Sequence, residues 1–190
     1  MMLHHNKRFI LLSLLFAAFY NAWILGYLLN PAVISTQPIS GLAAVGQPWR
    51  WLFMATDIIA SLFVVCIALD SRKKAYRISL IAFSLFTILA AIFTESRAAG
   101  TGDFSALPDI VHLIFSCLSL ISLMAAVIIG YRLVRRRLLA SIALSYILTT
   151  CLLAFIPEVP VWVGLWGQKV NSILTGIWLI LQTYEFMKKN

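Results

Sequence analysis

The chain has 190 residues, 62% of them hydrophobic and 12% charged, with a formal net charge of +8 and a mean hydropathy of +0.93. Water-soluble domains are about 45–50% apolar and about 25% charged. The composition therefore excludes a water-soluble enzyme or binding domain and points to a polytopic membrane protein. The positive charge would suit a nucleic-acid partner, but its distribution along the chain assigns it to topology instead, so no nucleic acid is expected.

The chain opens MMLHHNKRFILLSLLFAAF, basic residues followed by an apolar run, the outline of a signal peptide. That run continues for about 21 residues, beyond the 7–15 of a signal h-region. Tyr20, Asn21 and Trp23 follow it where a small-residue cleavage site would lie. Phe9–Leu29 is therefore the first expected membrane helix. Five more segments follow: Trp49–Leu69, Ile78–Thr94, Asp109–Tyr131, Leu138–Phe155 and Lys169–Met187. A hydrocarbon core about 30 Å thick takes roughly 20 residues of helix. The runs are too long for barrel strands and do not alternate apolar with polar. The expected fold is all-α, one six-helix membrane domain spanning the whole chain.

The connections differ by side. Lys7, Arg8, Arg72, Lys73, Lys74, Arg77, Arg132, Arg135, Arg136, Arg137, Lys188 and Lys189 fall on one side, and only Arg50, Arg97 and Lys169 on the other. Twelve against three is a strong positive-inside signal. It puts both termini in the cytoplasm of a multi-pass protein, expected in a bacterial cytoplasmic membrane. The basic clusters then meet anionic lipid, which makes membrane lipids the expected partners. A second copy of the chain or another membrane protein is left open.

The first outer connection, NPAVISTQPISGLAAVGQP, carries no charge over residues 30–48. A long apolar connection of this kind is expected to fold back over the outer mouth of the bundle. The second, ESRAAGTGDFSALP, is polar; the third, IPEVPVWVGLWGQ, carries Trp162 and Trp166, suited to the membrane interface. GLAAVGQ and GLWGQ match too briefly to establish a repeat. Cys66, Cys117 and Cys151 each lie within an apolar run without metal-ligand spacing and read as small buried hydrophobes.

The polar groups in or beside the helices are Asn21, Asp57, Glu95, Asp109, His112, Glu158, Gln168 and Asn171. The expected topology puts all of them in the outer half. Asn21 and Asp57 lie roughly 12–14 Å below their helix ends at 1.5 Å per residue. Helical spacing aligns Ser13, Ala17 and Asn21; Asp57 and Ser61; His112, Ser116 and Ser119; Ser141, Ser145 and Thr149; and Asn171, Thr175, Trp178 and Gln182. Each helix except the third thus has a small or polar stripe suited to face inward, and Ala18, Ala22 and Gly26 add a close-packing face on the first. These stripes predict an outward-opening polar pocket.

A carboxylate as deep as Asp57 marks a functional site by default, against a structural reading as a hydrogen-bonded group. Asp109 after Pro108 reads either as a helix-start cap with His112 as its neighbour or as part of the pocket. Asp57, Asp109 and His112 are the candidate metal ligands, with Glu95 beside them, but one histidine makes a poor zinc site. No HExxH, GxSxG or P-loop is present. Ser40 is a nucleophile only by conjecture. The sequence names no cofactor and no catalytic residue.

The stretches YNAWILGYLLNP (Tyr20–Pro31), SGLAAVGQPWRWLFMATD (Ser40–Asp57), PDIVH (Pro108–His112) and GLWGQKVN (Gly164–Asn171) resemble the bacterial membrane family catalogued as domain of unknown function 998. The resemblance covers most of the chain. It implies a multi-helix integral membrane protein with polar residues near these places, and supplies no established activity. The build is also similar to eukaryotic multi-span proteins linked with lipid remodelling and to the transmembrane hydrolases that include alkaline ceramidases. Those use a serine, an aspartate and several histidines around a metal. Here only His112 is membrane-embedded, and His4 and His5 fall on the opposite side, so that metal site does not carry over. The leading expectation is a protein that binds or senses a lipid or small amphiphile in the outward pocket. The alternatives are a metal-assisted intramembrane lipid hydrolase using Asp57, Glu95, Asp109 and His112, and a transporter or accessory subunit.

Overall fold

A computed structural model describes residues 2–96, 107–134, 144 and 161–188. The described residues form seven α-helices and two short 3-10 turns, with no strand among them. Helix α1 spans Met2–Tyr20. A 3-10 turn at Ala22–Leu25 and the short helices α2, Gly26–Leu29, and α3, Pro31–Thr36, come next. A second 3-10 turn follows at Ile39–Ala43. The long helices are α4, Arg50–Leu69, α5, Lys74–Ile92, α6, Leu107–Val134, and α7, Val161–Lys188.

Four of these stretches are long and apolar enough to cross a membrane: Lys7–Leu29, Arg50–Leu69, Lys74–Ile92 and Leu107–Arg132. They mark a membrane-embedded protein. Their outer faces agree. Ile78, Leu85 and Ile92 on α5, and Ile114, Ile121 and Ile128 on α6, recur every seven residues and are all exposed. Such stripes would be liabilities in water and are ordinary surfaces toward lipid. The expected fifth segment, Leu138–Phe155, lies outside the described residues apart from Leu144. The sixth is a 28-residue helix that begins at Val161, eight residues before the expected Lys169. Residues 161–168, expected as a connection, follow Pro160 and contain no further proline to stop the helix. Trp166 is therefore an exposed helical residue.

The first segment departs most from expectation. The helix stops at Tyr20 rather than running to Leu29. Asn21 Nδ2 donates to Ala17 O at 2.8 Å. Asn21 N keeps its helical bond to the same carbonyl at 3.2 Å, and beyond it Ile24 N reaches back only three residues, to Asn21 O at 3.1 Å, so the chain proceeds as a 3-10 turn. Asn21 thus sits at a helix end, not within one.

In the interior, α1 packs on α4 and α7, α4 on α5, and α5 on α6. Phe16, Val64, Leu80, Phe83, Leu123, Trp178 and Leu179 meet in the main core. Ser13, Ser61, Ser119, Asn171, Thr175 and Gln182 from the aligned stripes are all buried. Small residues set the closest approaches. A Cβ on Gly176 would stand 3.1 Å from Ala17 Cβ, so α1 and α7 touch through Ala17. Ala18, on the expected close-packing face, is instead exposed. A second core forms where residues 30–48 fold back: Trp23, Ile34, Leu42, Ala43, Phe53 and Met54. Ile34 and Leu42 are fully buried there.

Candidate functional site

Beneath that folded-back segment lies a cavity of about 160 Å³. Its wall includes Tyr20 from α1, Ser40 from the 3-10 turn, Asp57 from α4, Thr87 from α5, His112, Ser116 and Ser119 from α6, and Gln168, Asn171 and Ser172 from α7. Helical periodicity explains the convergence on α6, since residues i, i+4 and i+7 share a face. The third segment, expected to lack a polar stripe, supplies Thr87 and Thr94. Their spacing with Ser84 was the available signal, hidden by the surrounding phenylalanines.

His112 has a definite orientation. Its Nδ1 lies 2.9 Å from Ala90 O and 3.1 Å from Phe93 O. Carbonyls only accept, so Nδ1 carries a proton and donates to both. The ring thereby caps the C-terminal turn of α5, whose last carbonyls lack helical partners. Its Nε2 faces Glu95 Oε1 at 3.6 Å and Ser116 Oγ at 3.4 Å. With Nδ1 protonated, Nε2 of a neutral ring presents a lone pair. It attracts Glu95 only when the pair holds one more proton, on the imidazole or on the carboxyl. Burial pushes the Glu95 carboxyl above its ordinary value; His112 and a hydrogen bond from Ser40 pull it down, and Asp109 raises it again, with a net upward direction.

Asp109 serves a different purpose. Its Oδ1 accepts from Ser96 N at 2.6 Å and its Oδ2 from Ser96 Oγ at 2.7 Å. The carboxylate therefore fastens the start of α6 to the chain that leaves α5, and it does not line the cavity. The expected neighbour relation with His112 gives way to the Glu95–His112 pair.

Asn21 also stands behind the wall. Its Oδ1 accepts from Trp23 Nε1 at 3.2 Å and from Ser172 Oγ at 3.0 Å, while Trp23 Nε1 also donates to Ser172 Oγ at 2.8 Å. This network closes the break after α1 against α7. Gln168 Oε1 accepts from Ser40 N at 3.4 Å, tying the folded-back segment to α7. Lys169, beside it, is buried. Its ammonium donates to Ile34 O and lies over the rings of Trp166 at 5.1 Å and Tyr27 at 5.6 Å. A cation is favourable at the C-terminal turn of a helix, here that of α3.

Of the eight expected site residues, Asp57, His112, Gln168 and Asn171 line the cavity. Glu95 reaches it through His112, Asn21 and Asp109 hold its surroundings together, and Glu158 lies outside the described residues. Asp57, Asp109 and His112 do not converge: among the described residues no group of three His, Cys, Asp or Glu side chains is placed to hold a metal ion. Tyr20, Thr87, Thr94 and Ser172 are the polar lining residues that sequence reasoning did not single out.

The chain matches the family described as protein of unknown function (DUF998) over residues 13–184 and belongs to it. No curated protein matches the chain, and no solved structure does.

Proposed function

We propose that this chain binds the polar end of a lipid or small amphiphile in the cavity under residues 30–48. The observation that carries the reading is the cavity itself, about 160 Å³ and walled by one carboxylate, an imidazole, two amides and several hydroxyls. For scale, a cavity of about 150 Å³ accommodates benzene, so a head group or chain end fits and a whole lipid does not. Membrane-depth polar groups are costly unless used or paired, which supports a ligand over an empty void.

The proposal includes six crossings with both termini on the cytoplasmic side of a cell membrane. The twelve-to-three distribution of basic residues supports this. So does the length of α7, 28 residues, whose lower apolar content follows from an inward face carrying Asn171, Ser172, Thr175 and Gln182.

The test is mass spectrometry of amphiphiles that co-purify with the full chain in detergent, against Ser116→Phe, which places a benzene-sized ring in the cavity. Wild-type protein is expected to retain a specific amphiphile and the variant to lose it. Equal amphiphile content in both proteins would refute the reading.

A further inference from the structure

We infer that the ligand presents a small ammonium group, primary or methylated, to Asp57. This deepens the reading of the cavity as a ligand site and rests on it. Asp57 is the carboxylate on the cavity wall, and no lysine or arginine lines it. Among the described residues no hydrogen bond to the Asp57 side chain is formed; the bond at this residue runs from Ser61 Oγ to its backbone oxygen. Lys169 and Arg50, which adjoin the lining residues Gln168 and Thr94, have other partners. Lys169 is held by Ile34 O, and Arg50 lies over Trp51 at 4.7 Å with Nη2 donating to Thr94 Oγ1.

The hydroxyl groups point the same way. Thr87 Oγ1 donates to Phe83 O at 2.8 Å, so the 2.7 Å contact with Ser119 uses the serine proton. Ser172 Oγ has its one proton committed to Lys169 O or Asn21 Oδ1. These oxygens offer the cavity lone pairs only. Three acceptor hydroxyls on a wall whose one carboxylate has no lysine or arginine beside it suit a ligand that brings donors and positive charge, while the Tyr20 phenol and the Asn171 and Gln168 amides are the wall's own donors. Tyr20 adds an aromatic ring, held by stacking on Phe16 at 5.0 Å, suited to an alkylammonium. Gln168, whose Oε1 is engaged by Ser40 N, retains amide N–H groups for a hydroxyl or ester oxygen at the ligand's other end.

The chemistry has two sources, a free amino alcohol or an ethanolamine or choline lipid head group. The experiment measures binding to purified full-length protein of ethanolamine, choline, ethylene glycol and inorganic phosphate. In parallel, it measures retention of phosphatidylethanolamine, phosphatidylcholine and phosphatidylglycerol from mixed micelles. An ammonium probe is expected to bind at least about tenfold more tightly than ethylene glycol, the scale of one charge-assisted hydrogen bond. Asp57→Asn is expected to remove that preference and Asp57→Glu to keep part of it. The ligand series on wild-type protein decides the matter even if the variants do not fold. Binding of free amines identifies a soluble ligand, and preference for ethanolamine or choline lipids alone identifies the head group; either supports the ammonium site. Equal binding of ethylene glycol, or phosphate or phosphatidylglycerol binding that Ser116→Phe abolishes, overturns the ammonium assignment and leaves the cavity reading intact. No binding by any probe, with no co-purifying amphiphile, overturns both.

Discussion

Asp109→Ala separates a carboxylate that holds the fold from one that serves the cavity. The substitution removes both acceptors of Ser96, at 2.6 Å from its N–H and 2.7 Å from its hydroxyl. Hydrogen bonds to a charged group contribute about 1.5–3 kcal/mol each. Ser96 is half-buried and regains some water when the carboxylate is lost, so the expected cost is about 2–4 kcal/mol. At roughly 2–4 °C per kcal/mol for a chain of this length, the thermal midpoint falls by about 5–15 °C. Asp109→Asn keeps one acceptor oxygen, and about half the loss is expected. The assay is fluorescence-monitored unfolding of the full chain in one detergent, with ligand retention measured on the same preparations below the midpoint. Retention should match wild type. An unchanged midpoint together with lost ligand would refute the reasoning and return Asp109 to the site.

Gly176→Ala pushes a methyl to within 3.1 Å of Ala17 Cβ; overpacking of about 1–3 kcal/mol outweighs the helix-propensity gain of about 1 kcal/mol. Unfolding should show a net loss, and a double-mutant cycle with Ala17→Gly a coupling of about 1 kcal/mol. The raised Glu95 carboxyl carries a sign. The folded state holds this proton to a higher pH than the unfolded chain, so the contribution is full below the ordinary glutamate value and is lost as pH rises through the raised one. Glu95→Gln should flatten that fall in a pH series of unfolding midpoints; an unchanged slope would contradict it.

The bundle was legible because lipid imposes one demand on every crossing segment. Backbone groups must pair internally and side chains must be apolar over about 20 residues. The start of α4 came within one residue of expectation for that reason, and its end coincided. The change to a 3-10 turn after Asn21 was not legible, because hydropathy is blind to a shift from four-residue to three-residue backbone bonds. The start of α7 was missed because Trp, Gly and Gln in residues 162–168 read as interfacial loop while nothing in them forbids helix.

What the sequence determined by itself was the medium and the inward faces. Composition required a membrane, and helical periodicity put Asp57, His112, Ser116, Ser119 and Asn171 on inward-facing stripes, and all five line the cavity. Which of these groups meet was decided by tertiary structure alone. A stripe fixes direction about one helix axis but neither the height nor the rotation of its neighbour. Asp109 and His112, three residues apart, accordingly have different partners: Ser96 for the first, Glu95 and the end of α5 for the second. The folded-back residues 30–48 then close over Asp57, because burying Ile34 and Leu42 against Phe53 and Met54 holds them there.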